Sequence, residues 1–333
     1  MPQALVVREF GGPEALVVAD VPELVPTPGE VVVDLRAAAL NRRDLRVVAG
    51  GWPGVSAPLV PGSDGAGVVR ALGSGVVGIS EGDEVVINPG IEWGDDPRVL
   101  GPGFKILGGP EDGTFAQQVR VPAASVFAKP ARLDWQEAAA LPLAGLTAWR
   151  ALFTRGGLTS GQTVLILGAG AGTSTFAVQF ARAAGARVLV TSGSADKIAR
   201  SVELGAETGF DYRAEGWEQE VVEHSGGGVD LVIDSAGTWQ SSVTCVRARG
   251  RVVVFGSTVS PTTELDVRGY YFRQLDLVGT MMGSPLDFKA MLRACETQAW
   301  TPVVDSARPL AQAGDALERM AAGEHFGKLV LTT

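Results

Sequence analysis

The residues best placed to do chemistry form a short glycine-rich turn. Val164-Leu165-Ile166-Leu167 runs directly into Gly168-Ala169-Gly170-Ala171-Gly172-Thr173, and helical sequence follows. Small residues let a backbone come close to a pyrophosphate, and a helix N-terminus offers it free N–H groups and a favourable dipole. A dinucleotide site is therefore expected here. The glycines depart from the G-x-G-x-x-G spacing, because the third position counted from Gly168 is Thr173. A purely structural strand-to-helix turn is the competing reading. The next strand ends in Val190-Thr191-Ser192-Gly193-Ser194-Ala195-Asp196-Lys197. In NAD-binding folds an acidic residue about 20 positions past the turn holds the ribose 2′-hydroxyl. Here the strand tip is Ser192. A carboxylate there would repel a 2′-phosphate, whereas Ser192, Ser194 and Lys197 can bond one. NADPH is thus expected over NADH. Alternatively, Asp196 and Lys197 form a solvated first helical turn.

These residues need elements to hold them. Before residue 145 the apolar runs are short: Ala4–Arg8, Leu16–Val21, Glu30–Ala38, Ala66–Leu72, Asp83–Ile87 and Phe115–Val121 read as strands. Turn-forming pieces such as Gly11-Gly12-Pro13 and Pro26-Thr27-Pro28-Gly29 separate them. A barrel-like or sandwich-like β domain is predicted. After residue 145 strands at Thr163–Leu167, Arg187–Thr191, Thr208–Phe210, Val229–Asp234 and Arg251–Phe255 alternate with helices at Phe176–Ala184, Ala195–Leu204 and Glu215–His224. Strands with few charges between amphipathic helices predict a parallel sheet covered on both faces, doubly wound. The tail adds helices near Leu286–Thr297 and Leu310–Ala321 and a strand at Lys328–Leu331. Periodicity alone does not say which domain the tail joins.

Composition narrows the function classes. The 333 residues suit two domains, and 46% hydrophobic with 20% charged residues is an ordinary globular balance. A net charge of −9 argues against a nucleic-acid surface, which needs clustered Lys and Arg. Cys245 and Cys295 are the two cysteines, too few for a disulfide framework, so a reducing compartment is expected. No run of about 18 apolar residues spans a membrane, and Met1–Phe10 lacks a signal-peptide core. A cytoplasmic enzyme with a small-molecule substrate is expected.

Several motifs together resemble the medium-chain dehydrogenase/reductase superfamily, in its zinc-free, quinone oxidoreductase-like branch, which includes proteins described as zinc-type alcohol dehydrogenase-like. They are Pro28-Gly29-Glu30-Val31, Asn41-Arg42-Arg43-Asp44, Pro61-Gly62-Ser63-Asp64-Gly65-Ala66-Gly67-Val68-Val69, Gly82-Asp83-Glu84-Val85, Gly113-Thr114-Phe115-Ala116 and Leu146-Thr147-Ala148-Trp149. Asp211-Tyr212-Arg213, Asp234-Ser235-Ala236-Gly237 and Gly327-Lys328-Leu329-Val330-Leu331 continue the series. The resemblance implies an α/β fold: a GroES-like β-barrel catalytic domain over 1–143 and 284–333, and a doubly wound Rossmann domain binding NADPH over 144–283. It also implies a homodimer or homotetramer.

The resemblance assigns roles by position. Asn41 would donate to the substrate oxygen and Thr147 would contact the nicotinamide amide. Asp44 and Asp64 belong to the catalytic group, or else order it through backbone bonds. Gly170, Ala171, Gly172 and Thr173 would hold the pyrophosphate, and Tyr212 would lie against the adenosine. Ala236, Phe255, Gly256 and Ser257 would line the nicotinamide side, with Phe326 and Lys328 closing over the cofactor. Core packing is the alternative for Phe255 and Phe326. The third glycine of the family turn is Ser174 here.

The resemblance also bears on metal. A catalytic zinc needs about three protein ligands and an open position. The zinc branch supplies them at positions that here hold Asn41 and Ser63 and lie near Leu143. Its structural lobe carries four cysteines, whereas residues 88–109 carry none. His224 and His325 lie far from Asn41, Ser63 and Leu143 in the sequence and read as surface residues. No metal is expected. Quinones and α,β-unsaturated carbonyls accept hydride without a Lewis acid, because conjugation spreads the charge; a simple ketone usually needs one, or a strong proton donor. An NADPH-dependent quinone or enone reductase is the leading expectation. An alcohol or aldehyde reductase, and a non-catalytic NADPH-binding sensor or scaffold, are the alternatives.

Overall fold

A computed structural model describes residues 1–298 and 300–333. The chain divides into two compact units: Met1–Ala144 with Ser284–Thr297 and Thr301–Thr333, and Gly145–Gly283 with Gln298–Trp300. The tail thus joins the first unit.

The first unit is built on a seven-stranded sheet. Its order runs Val304–Pro309, Lys328–Thr332, Glu30–Ala39, Asp64–Leu72, Glu84–Ile87 and Val126–Ala128, and Gln118–Pro122 also pairs with Glu30–Ala39. Val31, Val33, Leu35, Val69, Val85, Ile87 and Val119 turn inward as one core. The hydrophobic effect holds this face together, at roughly 1.5–3 kcal/mol per fully buried aliphatic side chain. A second core joins Leu5, Val7, Leu40 and Phe115 to the tail residues Leu317, Leu329 and Leu331. Glu30–Ala39 and Asp64–Leu72 approach so closely that a Cβ on Gly67 would lie 2.1 Å from the Asp34 carbonyl oxygen. Only glycine fits there.

Register decides what meets at the end of this sheet. Lys328–Thr332 runs antiparallel to Glu30–Ala39, with Val330 opposite Ala39, and Leu40 N–H donates to the Leu329 carbonyl. Asp64 lies opposite Ala39 on the other side. Lys328, Asn41 and Asp64 are thereby brought to one place from three parts of the sequence.

The second unit carries a six-stranded sheet, parallel throughout. Its order is Thr208–Phe210, Arg187–Thr191, Thr163–Ile166, Val229–Asp234, Val246–Val254, Asp276–Gly279. The order reverses direction after Thr163–Ile166, which is where an open α/β sheet takes its ligand. The central strands Thr163–Ile166, Arg187–Thr191 and Val229–Asp234 are buried on both faces, and Leu165, Leu189, Phe210, Trp217, Val221, Val232 and Val252 form the core. Trp149, Phe153, Phe180 and Trp300 make an edge-to-face aromatic group beside it.

The doubly wound α/β reading agrees with this sheet. Several elements were not expected from the sequence: the helices Arg42–Val48, Trp135–Ala140, Pro142–Trp149, Trp239–Cys245 and Val267–Phe272, and the strands Val126–Ala128, Asp276–Gly279 and Val304–Pro309. The strand expected at Phe115–Val121 spans Gln118–Pro122, and that expected at Arg251–Phe255 starts earlier and covers Val246–Val254.

Candidate active site

In the first unit the polar residues form a closed network. Asn41 precedes the helix Arg42–Val48 in extended conformation, and its N–H donates to Asp44 Oδ2 at 2.7 Å. Asn41 Nδ2 donates to Asp64 Oδ2 at 2.9 Å. Lys328 Nζ donates to the Leu40 carbonyl at 2.6 Å, to Asn41 Oδ1 at 2.7 Å and to Asp64 Oδ2 at 3.0 Å. Asp64 Oδ1 accepts the Leu143 N–H at 2.8 Å. Asp64 and Lys328 are 0% and 3% exposed, so this ion pair is desolvated and must be satisfied internally.

A second cation lies beside it. Arg43 donates through Nη1 to Ser63 Oγ at 2.6 Å and to the Leu107 carbonyl at 3.0 Å, and through Nη2 to the Gly109 carbonyl at 3.2 Å. Its guanidinium lies over the Trp52 ring, 4.6 Å from the centroid. Asp44 faces it at 3.6 Å. Burial pushes the Asp44 carboxyl up to about 6, against the opposing pull of Arg43 and of the Asn41 N–H. The Arg43 partnerships explain why two adjacent charged residues, Arg43 and Asp44, can sit inside the fold.

The glycine turn of the second unit has the geometry of an anion site. Gly168 and Gly170 have φ of 75° and 92°, a left-handed region that side chains disfavour. Ala169 N–H donates to the Thr191 carbonyl at 2.7 Å and so ties the turn to the next strand. The helix Gly172–Ala183 has no side-chain cap at Ala171. Its first N–H groups are therefore open to a phosphate. Ser174 takes the place of a third glycine without loss, because its hydroxyl donates to the Leu167 carbonyl at 3.2 Å.

The residues expected on the adenosine side also gather. Ser192 Oγ accepts the Ser194 N–H at 3.2 Å, and Ser194 Oγ accepts the Lys197 N–H at 3.4 Å as a helix cap. Each hydroxyl keeps its own proton for another acceptor. A Cβ on Gly193 would lie 2.9 Å from Tyr212 Oη and 3.2 Å from Arg213 Nε. Tyr212 is exposed, and Arg213 pairs with Asp211 at 2.8 Å. Arg213 was missed by the sequence reading, although it stands next to Tyr212. On the other side, Asp234 is spent on structure: Oδ1 accepts the N–H groups of Ala236 and Gly237, and Oδ2 accepts the Ser242 hydroxyl. Gly256 packs so closely that a Cβ would lie 2.1 Å from the Ser235 carbonyl oxygen. Ala236, Phe255, Gly256 and Ser257 thus gather at the ends of two neighbouring strands, Val229–Asp234 and Val246–Val254.

Lys328, Phe326, the two histidines and Thr147 are placed as follows. Lys328 is turned into the Asn41–Asp64 network rather than outward to a cofactor. Phe326 is 2% exposed, its N–H bonded to Asp305, which matches core packing. Of the two histidines read as surface, His224 is exposed and bonded to Glu207, whereas His325 is half-buried. Thr147 lies buried within the helix Pro142–Trp149.

Comparison with known proteins places these features in a family. Residues 27–131 match the alcohol dehydrogenase GroES-like domain, and residues 172–297 match the zinc-binding dehydrogenase domain. A zinc-type alcohol dehydrogenase-like protein of Schizosaccharomyces pombe is 36% identical, over 91% of each chain. The 2-methylene-furan-3-one reductase of Solanum lycopersicum is 33% identical over 91% of this chain and 71% of its own. The quinone oxidoreductase of Homo sapiens is 27% identical over 99% of this chain and 97% of its own. A solved structure described as an NAD-dependent alcohol dehydrogenase superposes with a TM-score of 0.94 at 39% identity, over 99% of both chains.

The zinc in the name of one matched domain does not fit the residues present. Asn41, Ser63 and Leu143 hold the positions expected of its ligands, and none is a strong zinc donor. The Lys328 ammonium already lies among the Asn41 and Asp64 oxygens, and Ser63 Oγ accepts from the Arg43 guanidinium. A divalent ion there would face two fixed cations. Among the described residues, no group of three or more His, Cys, Asp or Glu is arranged to hold a metal ion.

Proposed function

We propose, from the premise that the chain belongs to the medium-chain dehydrogenase/reductase superfamily and is an oxidoreductase of it, that it reduces a quinone or α,β-unsaturated carbonyl with NADPH and without a metal. The observation that carries this reading is the filling of the Asn41–Ser63–Asp64 region by Lys328 and Arg43. A site so arranged polarises an oxygen by hydrogen bonds, not by a Lewis acid. Acceptors whose conjugation spreads the added charge need no more than that. A 2-methylene-furan-3-one is such an acceptor, and so is a quinone.

NADPH, when bound, supplies the hydride. The N–H groups from Gly170 to Thr173 hold the pyrophosphate at the uncapped helix start. Ser192, Ser194, Lys197, Tyr212 and Arg213 receive the adenosine end and its 2′-phosphate. Ala236, Phe255, Gly256 and Ser257 line the nicotinamide side, and Thr147 contacts its amide. Asn41 donates to the acceptor oxygen. Asp44 and Asp64 act through position: each fixes Asn41, one at its backbone N–H and one at its side chain. Water delivers the final proton.

A second reading, reduction of an aldehyde or alcohol chemistry, is favoured by the alcohol dehydrogenase descriptions of two of the relatives. The NAD in one of those descriptions makes cofactor preference a deciding measurement. The test is oxidation of NADPH and of NADH by quinones, enones and aldehydes, assayed side by side with zinc analysis of the purified protein. Turnover of quinones or enones with NADPH preferred is the expected result. Turnover confined to aldehydes, a preference for NADH, or stoichiometric zinc would each overturn the corresponding part. Tight NADPH binding without turnover would point instead to a sensor or scaffold. The same preparation tests the expected homodimer or homotetramer. The strand Asp276–Gly279 is a sheet edge, and exposed Val267, Tyr271 and Phe272 lie on the helix just before it. A sedimenting mass of one 34.6 kDa chain would end that expectation.

A further inference from the structure

We propose that Lys328 is a positioning residue: it fixes which end of the Asn41 carboxamide faces the reacting molecule. The proposal deepens the role given to Asn41 above and rests on that reading for its catalytic meaning.

An amide side chain presents an acceptor at one end and donors at the other, and its direction is set by its neighbours. The neighbours of Asn41 leave one choice. Lys328 Nζ, a donor only, lies 2.7 Å from Oδ1. Asp64 Oδ2, an acceptor only when ionised, lies 2.9 Å from Nδ2. Reversing the amide would set its N–H groups against an ammonium and its oxygen against a carboxylate. Both contacts would then be repulsive in a region where Asp64 is fully buried and screening is weak.

The count of donors completes the argument. The three N–H bonds of the ammonium meet three acceptors, the Leu40 carbonyl, Asn41 Oδ1 and Asp64 Oδ2. None remains for a cofactor phosphate. Asn41 Nδ2 has two N–H bonds, and one goes to Asp64. The other has no acceptor among the described residues. Asn41 is 7% exposed, so a small part of it is reachable. The network therefore offers one N–H, preset in direction, to an oxygen that gains charge during hydride transfer. The strand register explains why a residue so far along the chain does this: Val330 pairs with Ala39, so Lys328 falls beside Asn41.

The test uses ¹⁵N-labelled full-length protein and the variants Lys328→Met and Lys328→Arg. The Asn41 side-chain signal is assigned by its loss in Asn41→Asp. Wild type is expected to show two distinct Nδ2 protons, one protected from solvent exchange. Lys328→Met is expected to lose that protection and to lower kcat for an enone or quinone on the order of 100-fold. Its Kd for NADPH, read by nucleotide fluorescence, should change less than about twofold, and Lys328→Arg should recover part of kcat. An unchanged Nδ2 signal in Lys328→Met overturns the proposal. So does a tenfold or greater rise in NADPH Kd with kcat kept, which would make Lys328 a cofactor ligand. Should Lys328→Met fail to fold, Lys328→Gln removes the charge, leaves Asp64 in place and carries the same measurements. If wild type turns over no quinone or enone, the functional reading fails, while the Nδ2 protons still decide the positioning role.

Discussion

The network around Asn41 and the turn at Gly168–Gly172 handle charge in opposite ways. The first buries two cations and two carboxylates and pairs them with one another, although Arg43 Nε and Asp44 Oδ1 make no hydrogen bond among the described residues. The second buries no charge and instead leaves backbone N–H groups open at a helix start. Desolvated charges are costly unless paired, so the first region ties stability to its polar residues. An open turn carries little stability of its own, so the second region spends its groups on affinity. Substitutions in the two regions should therefore fail in different assays.

The largest effect is expected from Asp64→Ala. It strands the Lys328 ammonium, Asn41 Nδ2 and the Leu143 N–H in the interior. A loss of about 3–5 kcal/mol is expected, read as a lower urea midpoint for the first unit. A cost below about 1 kcal/mol would show that the network is not the desolvated ion cluster described.

A smaller effect should appear in pH dependence. Asp44 is pushed by burial from 3.8 up to about 6. The folded state then holds its proton more tightly than the unfolded chain does. Its contribution to stability is present when Asp44 is protonated and is lost as pH rises from about 4 through about 6. The stability of wild type minus that of Asp44→Asn should fall by roughly 2–3 kcal/mol between pH 4 and 7. Urea titrations at several pH values measure this. A flat difference, or a rise, would mean that Arg43 governs Asp44 more than burial does.

The smallest effect on stability belongs to the nucleotide side. Arg213→Ala removes an exposed guanidinium paired with Asp211, and it should leave the urea midpoint essentially unchanged. It should nonetheless weaken NADPH binding about 5- to 10-fold while leaving NADH binding nearly unchanged. Fluorescence titration with both nucleotides gives the ratio. Equal weakening of both would remove Arg213 from the 2′-phosphate site.

The two regions also differed in how far the sequence revealed them. The turn was legible because its parts are contiguous: an apolar strand, small residues and a helix in a row. The parallel strands Arg187–Thr191, Thr208–Phe210 and Val229–Asp234 were read at their true bounds, the first and last because each carries a buried apolar run and the second because it fits the strand–helix alternation. The helix Arg42–Val48 was hidden because it is short and its charged residues Arg43 and Asp44 are buried, so no apolar face marks it. The strand Val304–Pro309 was hidden because it sits at the sheet edge and is only half-covered, so Asp305, Ser306 and Arg308 break its apolar pattern. Residue types at Asn41, Ser63 and near Leu143 showed what stands in place of zinc ligands, and Asp64 directly follows Ser63. They did not show that Lys328 lies among them, because pairing across 264 residues depends on strand register and not on local pattern.

That long-range pairing has a consequence for synthesis. The second unit draws almost all its residues from one continuous stretch, Gly145–Gly283, so its sheet can close once that stretch has left the ribosome. The first unit cannot. Asn41 waits for a partner made 287 residues later, roughly 15–60 s at about 5–20 residues per second. Until then Asp64 has no buried cation from the tail, and Glu30–Ala39 keeps an open edge where Lys328–Thr332 will dock. The nascent chain thus carries a finished nucleotide fold beside an unfinished barrel, and the barrel's exposed strand is its point of vulnerability to aggregation during translation.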